Sequence, residues 1–80
     1  MAAQVTRGEM AAWLLRNGFR RLPGSATSHI QYERAGVKIM LPGHGPNDLT
    51  KKHVGQILRA LARLGLDPRE VRRQLGGGAR

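Results

Sequence analysis

The chain has no cysteine among its 80 residues. That absence removes disulfides, thiolate nucleophiles and cysteine-based zinc sites together, and it suits a reducing compartment such as the cytoplasm. Stability then has to come from packing, and at this length two layers of secondary structure around one core are the limit. No apolar run approaches the roughly 20 residues of a membrane-spanning helix, and the first residues lack a basic segment followed by an apolar core. Neither a membrane span nor an export signal is expected. Acidic residues are scarce as well: 5 Asp and Glu stand against 14 Lys and Arg, a net charge of +9.

An excess of that size favours polyanionic partners, nucleic acid first among them. The plainer explanation is a solvated basic surface, and the placement of the charges decides between the two. The basic residues are spread along the chain, so a footprint would belong to the folded domain. Only Arg69, Arg72, Arg73 and Arg80 gather near the C-terminus, as an auxiliary arm.

Thr6-Arg7-Gly8-Glu9 has the form of a capping box, with Met10, Trp13 and Leu14 sharing one stripe behind it and Gly18 placed for a left-handed C-cap. A first helix is expected over about residues 7–17, with Trp13 in the core. Residues 19–22 form a short strand candidate, ended by Pro23-Gly24-Ser25. Residues 29–34 and 37–41 suit strands joined by a tight turn at Ala35-Gly36, which completes a three-stranded antiparallel meander. Alternation puts Ile30, Tyr32 and Arg34 on one face and His29, Gln31 and Glu33 on the other; Val37, Ile39 and Leu41 oppose Lys38 and Met40.

The breaker-rich run from Pro42 to Asn47 stops the third strand. Asp48 or Thr50 then caps a second helix whose stripe is Val54, Ile57, Leu58, Leu61 and Leu64, with Gly65 at its close. On its other side Lys52, Gln56, Arg59 and Arg63 recur at spacings of 4, 3 and 4, one basic ridge. Asp67-Pro68-Arg69-Glu70 opens a last short helix to about residue 75, and residues 76–80 read as a disordered Gly-rich tail. The expected fold is α+β, a single domain over residues 1–75 in the order α-β-β-β-α with a short extra C-terminal helix.

His29, His44 and His53 are the side chains suited to proton transfer near neutral pH. With so few acidic residues to complete a ligand set, no metal site and no cofactor are expected. His29 opens the second strand on the face that alternation exposes, where an imidazole can meet a ribose hydroxyl or a phosphate; a plainly exposed histidine is the alternative. Lys51 and Lys52 stand at the amino end of the second helix, where free amides and the helix dipole already favour a phosphate, and His53 beside them is a candidate phosphate contact.

Taken in order, Leu15-x-x-Gly18-Phe19, Gly24-Ser25, Ser28-His29-x-x-Tyr32, Pro42-x-His44, Leu49-Thr50-Lys51-Lys52, Ile57-Leu58-Arg59 and Leu64-Gly65-Leu66 resemble the HicA family, over about residues 6–67. The resemblance implies a double-stranded-RNA-binding-domain-like fold and a toxin of a toxin–antitoxin pair that cleaves mRNA without a metal through one strand histidine. It implies His29 as that catalytic residue, Gly24 and Ser25 as shaping the loop before it, His44 as a possible accessory, and a HicB-like antitoxin as partner. The chain departs from the family's Gly-Ser-x-His spacing, since Ala26, Thr27 and Ser28 separate Ser25 from His29. The competing reading is a non-catalytic module that grips RNA by shape through the same ridge. A DNA-binding helix in the major groove is disfavoured by the central hairpin.

Overall fold

The computed structural model describes residues 5–23, 29–43, 45 and 47–75. Their order is α1 (Arg7–Arg16), β1 (Arg20–Arg21), β2 (His29–Arg34), β3 (Val37–Pro42), α2 (Lys51–Ala62) and α3 (Pro68–Leu75). This is the α+β order expected, with one antiparallel sheet in the strand order β1-β2-β3.

Local chemistry accounts for the ends of the elements. The Thr6 side chain accepts from the Glu9 amide at 3.1 Å while the Glu9 carboxylate accepts from the Thr6 amide at 3.0 Å, the reciprocal box that starts α1. At its far end the Phe19 amide donates to Leu14 and the Gly18 amide to Leu15, with Gly18 at φ +87°. This pair of bonds is a Schellman close, and it swings Phe19 into the core. The helix therefore ends one residue earlier than expected, with Asn17 as its cap. Of the two cap candidates for α2, Thr50 serves, its hydroxyl accepting from the His53 amide at 3.0 Å. The α-helix stops at Ala62, and a tighter turn carries the chain to Gly65 at φ +83°.

The first strand is shorter than expected, two residues instead of four, because Phe19 is drawn beneath α1 by the helix close and only Arg20 and Arg21 pair with Glu33 and Tyr32. Ala35 (φ +52°) and Gly36 (φ +83°) both take the left-handed conformation, which makes the β2–β3 link a two-residue hairpin turn matched to strand twist. The turn sets the register from Arg34↔Val37 to His29↔Pro42.

Helices α1 and α2 lie on the inner face of the sheet, and α3 packs against both of them. Tyr32, Ile39 and Leu41 meet Met10, Trp13 and Leu14 of α1 and Val54, Ile57, Leu58 and Leu61 of α2 in one core, which α3 closes with Val71 and Leu75. The Trp13 indole donates to Gln74 Oε1 at 2.7 Å, tying the first helix to the last. Arg34, on this same face, donates to the Asn17 carbonyl at 3.1 Å, a cation on the negative end of α1.

A strap foreseen nowhere in the periodicity joins the N-terminal segment to the loop before α2. The Leu49 amide donates to Val5 and the Arg7 amide to Asn47, both at 2.8 Å. The Arg7 guanidinium then spans the turn, reaching Asn47 Oδ1 at 2.9 Å, the Gly45 carbonyl at 3.1 Å and the Pro42 carbonyl at 3.4 Å. Residues 24–28, His44 and residues 76–80 lie outside the described residues, and with them the expected Gly24–Ser25 loop and Gly-rich tail.

Leu61 has no exposed surface, so Leu61→Ala should cost about 2–5 kcal/mol in urea unfolding through lost burial and the cavity left behind. Leu15, on α1 but 55% exposed, should lose no more than about 0.5 kcal/mol as Leu15→Ala. Equal losses would mean that the helices do not pack on the sheet by these faces.

Candidate nucleic-acid interface

The sheet has two open edges, and β3 forms one of them. Gln31 turns its carbonyl toward β1, where the Leu22 amide donates to it at 2.8 Å, so its cross-strand partner Met40 points its own peptide groups out of the sheet. The outward carbonyl of Met40 is met by the imidazole of His53 at 3.0 Å. A carbonyl only accepts, so His53 Nε2 carries the proton, and in the neutral ring Nδ1 is left as an acceptor. The next outward carbonyl, Pro42, is the one Arg7 holds. Proline adds no amide of its own, and the edge is covered where it would otherwise invite another strand.

Because α2 leans against this edge, a groove of about 380 Å³ opens between the outer face of β3 and the helix. Met40, Pro42, Ile57 and Ala60 give it an apolar floor; His29, Lys38, His53 and Gln56 form its rim. His29 reaches it from β2, exposed on the outer face and paired in register with Pro42. The structure thus brings His29, His53 and Gln56, three of the residues singled out by sequence, around one opening. Lys51, Lys52 and Arg59 are exposed on α2, and Arg63 is exposed just past its end. None of these four lines the groove. Lys52, Gln56 and Arg59 nonetheless share one side of the helix, so the ridge runs alongside the opening.

Lys38 and Met40 were not singled out. Both were assigned to the outer face by alternation, and the two-residue turn, followed outward, sets them beside His29. What the pattern does not contain is the approach of α2, which turns a strand surface into a groove.

The few acidic groups are mostly engaged elsewhere. Glu9 serves the α1 cap, Glu33 pairs with Arg20 at 3.3 Å, Asp67 accepts from the Arg69 amide and Glu70 binds Arg73. Glu33 lies opposite Lys38 in register, so its salt bridge to Arg20 leaves the Lys38 ammonium without a carboxylate among the described residues. Hydrogen bonds from Arg73 and then Gln74 hold the Glu70 carboxyl below the usual carboxylate range. Its folded pKa being depressed, the pair supports the fold above that range and ceases to as pH falls; lying at the surface, it adds little. Arg69, Arg72 and Arg73 stand exposed on α3, and Arg80 lies outside the described residues.

Among the described residues no group of three His, Asp or Glu side chains is placed to hold a metal ion, and no helix is long and apolar enough to cross a membrane. The fold and groove define a small, basic α+β domain with a histidine-rimmed opening. No protein-family model, curated protein or solved structure matches the chain.

His53→Ala should cost about 0.5–1.5 kcal/mol by removing the donor to the Met40 carbonyl, while His53→Gln, whose amide nitrogen can donate to the same oxygen, should recover most of it. Identical urea midpoints for the two variants would show that this bond contributes nothing.

Proposed function

We propose that this protein is a metal-independent endoribonuclease of the HicA type, the toxin component of a toxin–antitoxin pair acting on mRNA in the cytoplasm on a double-stranded-RNA-binding-like scaffold. The observation that carries the reading is the convergence of His29 with Lys38, His53 and Gln56 on one groove whose rim holds no carboxylate. A phosphodiester entering it meets proton-transfer groups and positive charge, and Glu33, the carboxylate across from Lys38, is paired with Arg20. His29 takes the proton of a ribose 2′-hydroxyl as that oxygen attacks the adjacent phosphorus. The 5′-oxygen of the next nucleotide leaves and takes a proton from water, and a 2′,3′-cyclic phosphate remains. Lys51 and Lys52, at the amino end of α2 with no acidic residue in its first turn, hold flanking phosphates with Arg59 and Arg63 along the ridge. A HicB-like antitoxin covering the groove is the partner this reading implies.

A second reading, a non-catalytic RNA-binding module, draws on the separation of ridge from groove, which gives grip without chemistry. Incubating RNA with the purified protein and a chelator separates the two. Cleavage to cyclic-phosphate ends is expected, and His29→Ala should abolish it while RNA affinity and the melting temperature hold, with a stability change of about 0.5 kcal/mol or less at this exposed site. Should His29→Ala cleave as fast as the parent, the assigned mechanism is wrong; should the parent bind RNA and never cut it, the module reading takes over.

Binding itself should weaken steeply with salt, by roughly 0.7–0.9 counterion per phosphate neutralised. Joint Lys51→Ala and Lys52→Ala should flatten that slope without unfolding the protein, since both side chains are exposed. An affinity indifferent to salt would remove the nucleic-acid reading altogether.

A further inference from the structure

Met40 is 47% exposed on the outer face of an edge strand, where alternation calls for a polar residue. It is not isolated. Pro42 beside it and Ile57 and Ala60 from α2 extend it into one apolar floor, and the groove above is on the scale of a single small ligand. A groove of about 380 Å³ holds one small ligand and not a stacked duplex, and a bare phosphate would use none of its floor. The rim supplies Lys38 and the His29 imidazole as donors to an anion, His53 with its Nε2 proton committed to the Met40 carbonyl, and Gln56, whose amide both donates and accepts.

From these we propose that the groove is a subsite for one unpaired nucleotide: a base laid on Met40 and Ala60, its edge read by Gln56, and its phosphate held by Lys38. Thioether sulfur against an aromatic face is a favourable contact, and imidazole rings serve as stacking walls for splayed-out bases. Lys38 is suited to the phosphate because Arg20 has taken the carboxylate that faces it. His53 is held by its bond to the Met40 carbonyl, so one wall of the subsite is preformed. The consequence is a preference for single-stranded over paired RNA, set by groove size and not by the basic ridge. The inference rests on the proposed RNA chemistry only for the identity of the polymer, since nucleotide binding needs no cleavage.

The test is a nuclear magnetic resonance titration of the full chain, following the Met40 methyl and the His29 and His53 ring signals. Adenosine and cytidine 5′-monophosphates are added in turn, with ribose 5-phosphate and inorganic phosphate as controls. Saturable shifts at Met40 with the nucleotides and not with the two controls are expected. Lys38→Ala should weaken nucleotide binding about tenfold, and Met40→Ser, a substitution at a half-exposed site, should do the same with an unchanged melting temperature. Equal shifts at Met40 from ribose 5-phosphate would overturn the subsite, as would a blunt RNA duplex that moves the methyl as strongly as a single strand. Nucleotide binding without RNA cleavage would sink the enzyme and leave the subsite standing; cleavage with a silent Met40 would do the reverse.

Discussion

Everything specific about this molecule depends on how the apolar stripe of α2 seats on the inner face of β3. Val54, Ile57, Leu58 and Leu61 are buried there against Ile39 and Leu41, an arrangement that fixes both the rotation of the helix and its height over the sheet. Once that rotation is set, His53 and Gln56, on the flank of the stripe and nearly one turn apart, have to emerge at the open edge of β3. His53 then finds the outward carbonyl of Met40, and the groove follows from the gap between helix flank and strand surface. A different seating of the same helix would keep the core and lose the opening.

The electrostatics follow from a similar economy. With 5 acidic side chains in the whole sequence, committing four of them to a helix cap, a strand pair, a helix start and a helix-face pair leaves little to neutralise the surface. Some of the arginines are committed too. Arg7 clamps the loop before α2, and Arg34 caps α1, so their charge serves the scaffold and not a ligand. Among the described residues the charge left over is carried by Arg16, Arg21, Lys38, Lys51, Lys52, Arg59, Arg63, Arg69 and Arg72, and five of these nine stand along α2, just past its end and on the adjoining outer face. Net charge alone did not distinguish scaffold arginines from surface ones, because a guanidinium bonded to backbone carbonyls and one in water look the same in composition.

Particular residues show how far the chain could be read in advance. Thr6 and Glu9, Gly18, Ala35-Gly36, Thr50 and Pro68 act within a few residues of themselves, and each element begins or turns where they indicate. The core stripes were legible for the same reason: Trp13, Leu14, Tyr32, Ile39 and Leu61 lie at helical or strand period, and all are buried. Where the reading slipped, a distant contact intervened. Phe19 has the residue type of a strand, but the close of α1 pulls it under the helix and leaves β1 with two residues. The clamp of Arg7 on the loop before α2 has no local signal, since its acceptors lie 35 to 40 positions further on.

By itself the sequence determined the element order, the hairpin register, the burial of the stripes and the outward placement of His29, Lys38 and Met40. Caps, turns and periods are local, and a two-residue turn carries its register along both strands without outside help. Only the tertiary structure decided that His29 and His53, separated by a hairpin and a loop, share one groove, and that the half-exposed Met40 lines it. The reason is that helix seating is chosen by packing among residues far apart in the chain, and no periodicity within α2 or β3 records which flank of the helix meets which edge of the sheet.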